Sequence, residues 1–245
     1  MGDKSPIEWT DATWNPSTGC SKVSPGCKNC YAERLALRLQ KMGNPKYEHG
    51  FRFTLHKSAL ELPLKWRSPR KIFVNSMSDL FHESMPRAFL ERCFEVMEEA
   101  NWHTYQVLTK RPQIMERFFK GRKVPDHIWL GTSVELRQYL SRLQPLRKID
   151  VKVRFISFEP LLGPIGETDL RGMSWAIVGG ESGPNHREVK REWVRELRDQ
   201  CLAQGVHFFF KQWGGPRPKS NGRRLDGRLW DEYPDPHALP MLVAI

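Results

Sequence analysis

The stretch WNPSTGCSKVSPGCKNCYAERLALRL, residues 14–39, contains three of the five cysteines in this chain of 245 residues. Six residues separate Cys20 from Cys27, and two separate Cys27 from Cys30. Cysteines two residues apart can turn both sulfurs toward one metal, and the glycine and proline of the longer loop keep it pliable enough for the third sulfur to join them. The spacing therefore predicts a metal or iron–sulfur site at Cys20, Cys27 and Cys30.

The fourth ligand decides which metal such a site binds. A structural zinc site closes with four protein ligands, whereas a reactive site keeps one position open. No fourth cysteine is nearby, since Cys93 and Cys201 fall in amphipathic runs where we expect small core residues on helices. His49 or His56 could complete a zinc site, so zinc stays open as an alternative.

Disulfides are not expected in this chain. Five cysteines is an odd number, the N-terminus is polar, and no secretory signal or long apolar segment is visible. We therefore expect a cytoplasmic protein with reduced thiols and no membrane partner.

The composition predicts a basic globular protein. With 39% hydrophobic residues the chain can bury a full core. No linker marks a boundary, so we expect one domain over residues 1–245, in which residues 213–245 form a Gly/Pro/Arg-rich extension. The net charge of +11 should attract polyanions, which makes a nucleic acid or nucleotide a candidate substrate, although many basic proteins bind neither. Oligomeric state is not indicated.

Apolar runs and amphipathic runs alternate along the chain, as in repeated strand–helix units. The apolar runs are residues 71–76, 104–109, 128–133, 153–159, 175–181 and 207–212, preceded by residues 11–18, which Pro16 interrupts. Strands of this kind predict an α/β fold with about six to seven parallel strands. We expect a partial or complete (β/α) barrel resembling a TIM barrel, with an open doubly wound sheet as the competing arrangement.

Polar residues follow nearly every predicted strand. They are Asn75, Ser76, Ser78 and Asp79; Thr109, Lys110 and Arg111; Thr132, Ser133 and Glu135; Ser157 and Glu159; Gly179, Gly180 and Glu181; and Lys211, Gln212 and Trp213. Because loops are generally polar, polar residues after any single strand need no functional explanation. Polar residues after six strands favour a barrel, because barrels gather functional residues from the carboxyl ends of many strands.

The C-terminal tail combines basic and aromatic residues. Trp213, Trp230 and Tyr233 lie among several arginines, a combination that could clamp a nucleic-acid strand by phosphate contact and stacking. The alternative is a solvated loop that covers the barrel.

The cysteine loop before a helix and a (β/α) barrel resembles the radical S-adenosylmethionine (radical SAM) enzymes, and more narrowly a phage-associated branch of radical-SAM-like proteins. The runs that carry the resemblance are WNP (14–16), GC (19–20), SPGCKNCYAE (24–33), SFEPL (157–161), GGESG (179–183), KQWG (211–214) and LDGR (225–228). The resemblance therefore covers most of the chain.

The resemblance implies that Cys20, Cys27 and Cys30 hold a [4Fe-4S] cluster whose fourth iron binds S-adenosylmethionine. Three thiolates suit this chemistry, because a fourth protein ligand would block the open iron. Reductive cleavage of the cosubstrate would yield a 5′-deoxyadenosyl radical, with electrons from a reductant protein. The commonest spacing in this superfamily has three residues between the first and second cysteines and two between the second and third, whereas this chain has six and two.

The resemblance and the strand positions together imply roles for the polar residues. Near the methionine end of S-adenosylmethionine we expect Ser76, Ser78 and Asp79, with Lys110 or Arg111 pairing with its carboxylate, and near its ribose we expect Ser133 and Glu135. The second substrate would contact Glu159, Glu181, Lys211 and Trp213. Of these four, Glu159, Glu181 and Lys211 are the catalytic candidates. The run Gly179-Gly180-Glu181, which many members carry after an early strand, follows a late strand here. Each residue could instead be a helix cap, a loop salt bridge or a core aromatic.

The competing function is a non-catalytic nucleic-acid-binding protein that a zinc ion or cluster stabilises. Such a protein would bind nucleic acid without S-adenosylmethionine and would unfold on chelation.

Overall fold

Parallel pairing of seven strands builds the main sheet. The computed structural model describes residues 4–235. Within them the strands are β1 (Ala12–Trp14), β2 (Ser17–Thr18), β3 (Thr54–Leu55), β4 (Lys71–Val74), β5 (Thr104–Thr109), β6 (Ile128–Ser133), β7 (Arg154–Phe158), β8 (Trp175–Gly179) and β9 (His207–Gln212). The main sheet has the order β1-β4-β5-β6-β7-β8-β9, while β2 and β3 form a separate antiparallel pair.

Helices connect most of these strands. They are α1 (Tyr31–Lys41), α2 (Leu62–Lys65), α3 (Arg87–Glu99), α4 (Pro112–Phe119), α5 (Leu143–Arg147) and α6 (Arg191–Ala203), with short 3-10 turns at Pro25–Cys27, Pro45–Tyr47, Lys57–Ala59 and Arg137–Arg142. Each strand of the main sheet is added beside the preceding one, and the sheet curls into a half-barrel. This partial (β/α) barrel confirms the fold class expected from the sequence.

Alternate strand residues pack on the two faces of the sheet. On β6, Ile128 and Leu130 belong to the core under the outer helices, whereas Trp129 belongs to the inner face. Burial on both faces explains why the strands read as nearly continuous apolar runs. Cys93 and Cys201 are fully buried in the outer core, which confirms their prediction as core residues on helices.

A cluster of large aromatic residues fills the inner face toward the amino-terminal ends of the strands. We call it the floor cluster, and its aromatic members are Trp9, Phe73, Trp129, Phe155, Trp175 and Phe209. A Cβ on Gly131 would lie 2.6 Å from the Phe155 ring, so this ring needs a glycine beside it. One polar residue, Gln106 on β5, is buried at the same level and donates to the Trp9 carbonyl at 3.0 Å, whereas the cysteine loop lies at the carboxyl-terminal edge.

The C-terminal tail covers the open edge of β9. The amide of Phe210 donates to the Trp230 carbonyl at 2.9 Å, and the Tyr233 ring packs on Trp175 with centroids 5.2 Å apart. Trp230 is 7% exposed. The tail therefore covers the barrel, and Trp230 and Tyr233 pack inward instead of presenting free stacking faces.

Residues 236–245 lie outside the described part, and the single-domain assignment with an extension from residue 213 stays a prediction.

Element boundaries differ from the sequence expectation where local chemistry intervenes. The strand expected over residues 71–76 ends at Val74, because Asn75 has a φ of 59° and its side chain bonds to Ser17. The first expected strand divides around Pro16 into β1 and β2.

No helix within residues 4–235 is both long and apolar enough to cross a membrane.

We predict that Phe81→Ala strongly destabilises the fold. Phe81 has 0% exposure and lies 6.1 to 6.4 Å, centroid to centroid, from the rings of Phe94, Phe118 and Phe119. Removing such a ring leaves a cavity and should lower the free energy of unfolding by about 3–5 kcal/mol, measured by urea denaturation. The control Leu202→Ala, at a side chain that is 50% exposed, should change it by about 0.5 kcal/mol or less. Equal losses would contradict this packing.

Candidate functional site

The cysteine loop, defined here as residues 19–30, leaves β2 in a fixed direction. Gly19 has a φ of 79°, and a Cβ there would lie 2.1 Å from the Arg52 carbonyl oxygen, so only glycine fits. The Gly19 amide donates to the Met77 carbonyl at 2.9 Å, and the Ser78 hydroxyl donates to the Gly19 carbonyl at 2.6 Å. Residues that follow β4 therefore set the start of the loop.

The loop then crosses the carboxyl-terminal edge of the half-barrel. Its contacts with the edge are Cys20 and Ser21 with Arg111 after β5, Ser24 with Glu135 after β6, and Asn29 with Glu181 after β8. The Tyr31 hydroxyl, at the start of α1, donates to the Ser76 carbonyl after β4. The loop is thus attached to the ends of four strands.

All three loop cysteines are free and partly buried. Burial raises the pKa of Cys20 to about 11; the Asp79 carboxylate adds to this rise and the Arg111 guanidinium opposes it. Burial also raises the pKa of Cys30, although backbone amides of α1 offset part of that effect. The charge of Cys27 contributes to both shifts, so the three sulfurs are electrostatic neighbours. At neutral pH, Cys20 and Cys30 are protonated thiols.

The donor set fits a metal group held by three thiolates, because three free cysteines share one loop. As the loop stands, no three His, Cys, Asp or Glu side chains within residues 4–235 are positioned to hold an ion. The two histidines considered for a zinc site have other partners: His56 bonds to the Thr18 hydroxyl at 2.7 Å, and His49 contacts Glu48 at 3.3 Å. Binding by the three sulfurs would therefore need the loop to close.

Arg111 links the loop to a buried carboxylate. Its Nη1 donates to Asp79 at 3.0 Å and to the Cys20 sulfur at 3.6 Å, its Nη2 donates to the Ser21 hydroxyl at 2.7 Å and carbonyl at 3.2 Å, and its Nε donates to Glu83 at 2.8 Å. The Arg111 hydrogen bond holds the pKa of Glu83 at about 2. Arg111 and Asp79 therefore pair with each other, and neither is free for a cofactor.

Glu135 supports the middle of the loop. Its side chain is fully buried, bonds to the Ser24 hydroxyl, and accepts a hydrogen bond from Arg142 at 2.8 Å. A Cβ on Gly26 would lie 2.8 Å from the Glu135 carboxylate, so the loop backbone rests against it. The Ser133 carbonyl accepts a second bond from Arg142, at 2.8 Å. The two residues expected near a ribose thus form one network under the loop.

Glu181 fixes the end of the loop. It accepts hydrogen bonds from Asn29 and from the Arg187 Nε, both at 2.9 Å, and Arg187 also donates to the Pro25 carbonyl at 3.0 Å. Burial raises the pKa of Glu181, but the bonds from Arg187 and Asn29 outweigh it, and the net pKa lies below the usual value. Glu181 is therefore an ionised anchor of the loop.

Glu159 and Lys211 form an ion pair of 2.6 Å with both side chains less than one-fifth exposed. Glu159 follows β7 and Lys211 lies near the end of β9, beside the polar inner positions. A Cβ on Gly179 would lie 3.3 Å from the Glu159 carboxyl group, so this pair lies across the end of β8. Of the three catalytic candidates, Glu159 and Lys211 come together and Glu181 belongs to the loop network.

The remaining candidates differ in how far their polar atoms are engaged. Asp79 accepts four hydrogen bonds, from Phe81, Thr109, Lys110 and Arg111. The Ser76 hydroxyl bonds to the Asn15 side chain at 3.2 Å. The Lys110 ammonium forms no ion pair or hydrogen bond with the part of the chain that the structure describes, and its charge reaches Cys30.

Several residues of these networks were not predicted from the sequence. They are Ser21, Ser24, Asn29, Glu83, Arg142 and Arg187. Asn29 lies between two predicted ligands, so its position was an available signal. Arg142 and Arg187 are two of 39 lysines and arginines, and no spacing distinguishes them.

Comparison with known proteins identifies a family and a shared fold. The profile of one protein family, described as "Protein of unknown function (DUF5131)", matches residues 4–234, so the chain belongs to this family. No curated protein sequence matches the chain.

Solved structures of spore photoproduct lyase have a similar fold. A complex of that enzyme with dinucleoside spore photoproduct has 12% identity and a TM-score of 0.52, over 84% of this chain and 65% of that one. A cysteine-to-alanine mutant of the enzyme has 11% identity and a TM-score of 0.57, over 86% of this chain and 78% of that one. The chain thus spans less than two-thirds of the first of these proteins, and the likeness is one of fold.

We predict that Arg187→Gln loosens the cysteine loop. Glu181, which is 5% exposed, would lose its charged partner, and we expect a loss of about 1–3 kcal/mol in unfolding free energy. Alkylation of Cys27 and Cys30 by iodoacetamide, followed by peptide mass spectrometry, should become several-fold faster.

The matched control is Arg122→Gln, which removes an arginine–glutamate pair with Glu91 at an exposed site. This control should leave the alkylation of the loop unchanged. Cys93 and Cys201 report global unfolding, because both are buried. Equal acceleration at all four cysteines would contradict a local anchoring role.

Proposed function

We propose that this member of the DUF5131 family is a radical SAM enzyme. The observation that carries the proposal is that three free, partly buried cysteines share one loop across the carboxyl-terminal edge of a parallel half-barrel. The carboxyl ends of barrel strands are where enzymes of this architecture hold their reactants. Spore photoproduct lyase, which shares the fold, is a radical SAM enzyme.

In this proposal Cys20, Cys27 and Cys30 hold a [4Fe-4S] cluster after the loop closes. Three protein sulfurs leave one iron for S-adenosylmethionine, whose reductive cleavage supplies a 5′-deoxyadenosyl radical. The anchors at Arg111, Glu135 and Glu181 keep the loop over the half-barrel, and cluster binding would release the thiol protons to water.

The residues around the loop divide into two groups in the proposed site. Lys110 is our candidate for the carboxylate of S-adenosylmethionine, because its ammonium has no competing partner within residues 4–235, whereas Arg111 is fully engaged. Ser76, Ser78 and Asp79 shape the methionine end through the backbone that they fix, and Ser133 and Glu135 remain our candidates near the ribose.

Glu159 and Lys211 are our candidates for contact with the second substrate. Their carboxylate and ammonium neutralise each other in the 2.6 Å pair, so a substrate that binds one of the two groups must also compensate the charge of the other. Glu181 would act through the loop that it anchors, as a positioning residue.

We propose a nucleic acid or nucleotide as the second substrate. Spore photoproduct lyase has been solved with a dinucleoside photoproduct, and the net charge of this chain is +11. At the start of α6 the Lys190 ammonium lies 5.5 Å from the Trp193 ring and the Arg191 guanidinium 5.5 Å from the Trp213 ring. Such cation–aromatic pairs offer both phosphate contact and a stacking face.

The same proposal implies a reductant protein that delivers electrons, a cytoplasmic location and a place in the phage-associated branch of radical-SAM-like proteins.

Metal content tests the cluster. After anaerobic reconstitution with iron and sulfide, the wild-type chain should hold about four irons, show visible absorbance that dithionite bleaches, and release 5′-deoxyadenosine from S-adenosylmethionine. Cys27→Ala should lose most of the iron and all of the release.

The control Cys93→Ala removes a thiol from the outer core and should retain both iron and activity. A colourless wild-type protein with stoichiometric zinc would overturn the proposal and support the zinc-stabilised nucleic-acid-binding alternative.

Salt-dependent binding tests the substrate class. The double variant Lys190→Gln/Arg191→Gln should bind a fluorescent single-stranded oligonucleotide more weakly, and the slope of log affinity against log salt should fall by about two. Anisotropy titrations across salt concentrations measure both. Lys148→Gln/Lys152→Gln removes two exposed lysines between β6 and β7 and should leave the slope unchanged; an equal fall would indicate net charge alone.

A further inference from the structure

We infer that Arg111 is a positioning residue that fixes the Cys20 segment and holds a positive charge against the Cys20 sulfur, so that it raises the reduction potential of the bound cluster. This inference rests on the proposed function, because it concerns the same cluster. It assigns Arg111 a role that differs from binding the carboxylate of S-adenosylmethionine.

The hydrogen bonds of Arg111 account for its whole donor capacity. A guanidinium has five N–H groups. One reaches Glu83, two reach Asp79 and the Cys20 sulfur, and two reach the hydroxyl and carbonyl of Ser21. None of the five is left to bind a ligand, and the planar group is held by the loop and by both carboxylates.

Burial makes this arrangement rigid. The Arg111 and Asp79 side chains are 6% and 8% exposed. Asp79 is itself held by the Thr109 hydroxyl at 2.7 Å and the Lys110 amide at 3.1 Å. The charge therefore occupies one position relative to β5, and a shorter donor set such as that of lysine cannot reproduce the contacts.

A cation at a ligand sulfur changes the electron affinity of the metal group. Hydrogen bonds to cluster sulfurs and local charge are two of the factors that set iron–sulfur potentials. The Cys20 sulfur receives a hydrogen bond from the guanidinium, whereas the Cys27 sulfur contacts the neutral Ser24 hydroxyl at 3.8 Å. The influence of Arg111 is thus directed at one of the three sulfurs.

Glu83 sets how much of the positive charge the sulfur experiences. Its side chain is 55% exposed and pairs with the Arg111 Nε, whereas Asp79 pairs with the Nη1. Arg111, Asp79 and Glu83 together carry one net negative charge when all are ionised. Removing the Glu83 charge makes this group neutral, and removing the Arg111 charge makes it doubly negative, so the two changes should shift the potential in opposite directions.

The experiment compares reduction potentials of anaerobically reconstituted full-length proteins by redox titration with electron paramagnetic resonance. Arg111→Met should shift the potential downward, so that the ratio of reduced to oxidised cluster at a fixed potential falls about tenfold, the effect expected from losing one charge-assisted hydrogen bond. Glu83→Gln should shift it upward, and Arg111→Lys should lie between Arg111→Met and wild type.

Arg171→Gln controls for net charge, because it removes an arginine that is 84% exposed and precedes β8 at the opposite edge of the sheet. Should Arg111→Met fail to fold by circular dichroism, the upward shift in Glu83→Gln and the reduced potential of Arg111→Lys still decide the inference. Unchanged potentials in the folded variants would overturn it, and so would shifts of the same sign in Arg111→Lys and Glu83→Gln. Absence of a cluster in the wild-type protein would instead overturn the proposed function.

Discussion

The parallel direction of all seven strands of the main sheet is the constraint on which the site depends. Parallel strands place their carboxyl ends at one edge, so polar residues that are far apart in the chain become neighbours. Ser76, Arg111, Glu135 and Glu181 follow four different strands, yet each contacts the segment between Gly19 and Tyr31. An antiparallel partner anywhere in the sheet would have sent one of these endings to the opposite edge.

Charge in this region serves mainly to hold the cysteine loop. Asp79, Glu135 and Glu181 are all buried, and each pairs with an arginine. A buried ion pair contributes little net stability compared with a well-packed apolar pair, but loss of one partner leaves an uncompensated charge. These pairs therefore make the path of the loop specific, while its sulfurs keep few contacts of their own and remain available.

The sequence was informative where a repeating physical signal existed. The apolar runs predicted six of the seven strands of the main sheet closely, because strands buried on both faces need such runs, and the polar endings predicted convergence at one edge. Boundaries at Asn75 and around Pro16 depended on local conformation. The partners of the site carboxylates were missed, because Arg142 and Arg187 contact their glutamates through the folded path of the chain and carry no periodic signal.

The expected roles of individual residues were less predictable than their location. Arg111 was a plausible ligand for an anionic cofactor when only its position after a strand was known. Its five hydrogen bonds within the chain could be seen only once the loop, Asp79 and Glu83 were placed together. Residue type and strand position thus indicate where a site lies, but the competition among neighbours for each donor decides what a side chain does.

The floor cluster has a consequence for the order of molecular events. Because Trp9, Trp129, Trp175 and their neighbours pack together on the inner face toward the amino-terminal ends of the strands, a molecule that enters from the carboxyl-terminal edge meets packed rings below Glu159 and Lys211. In the proposed site, two reactants that both enter by this edge would bind in order, with the deeper one first, and would leave in the reverse order.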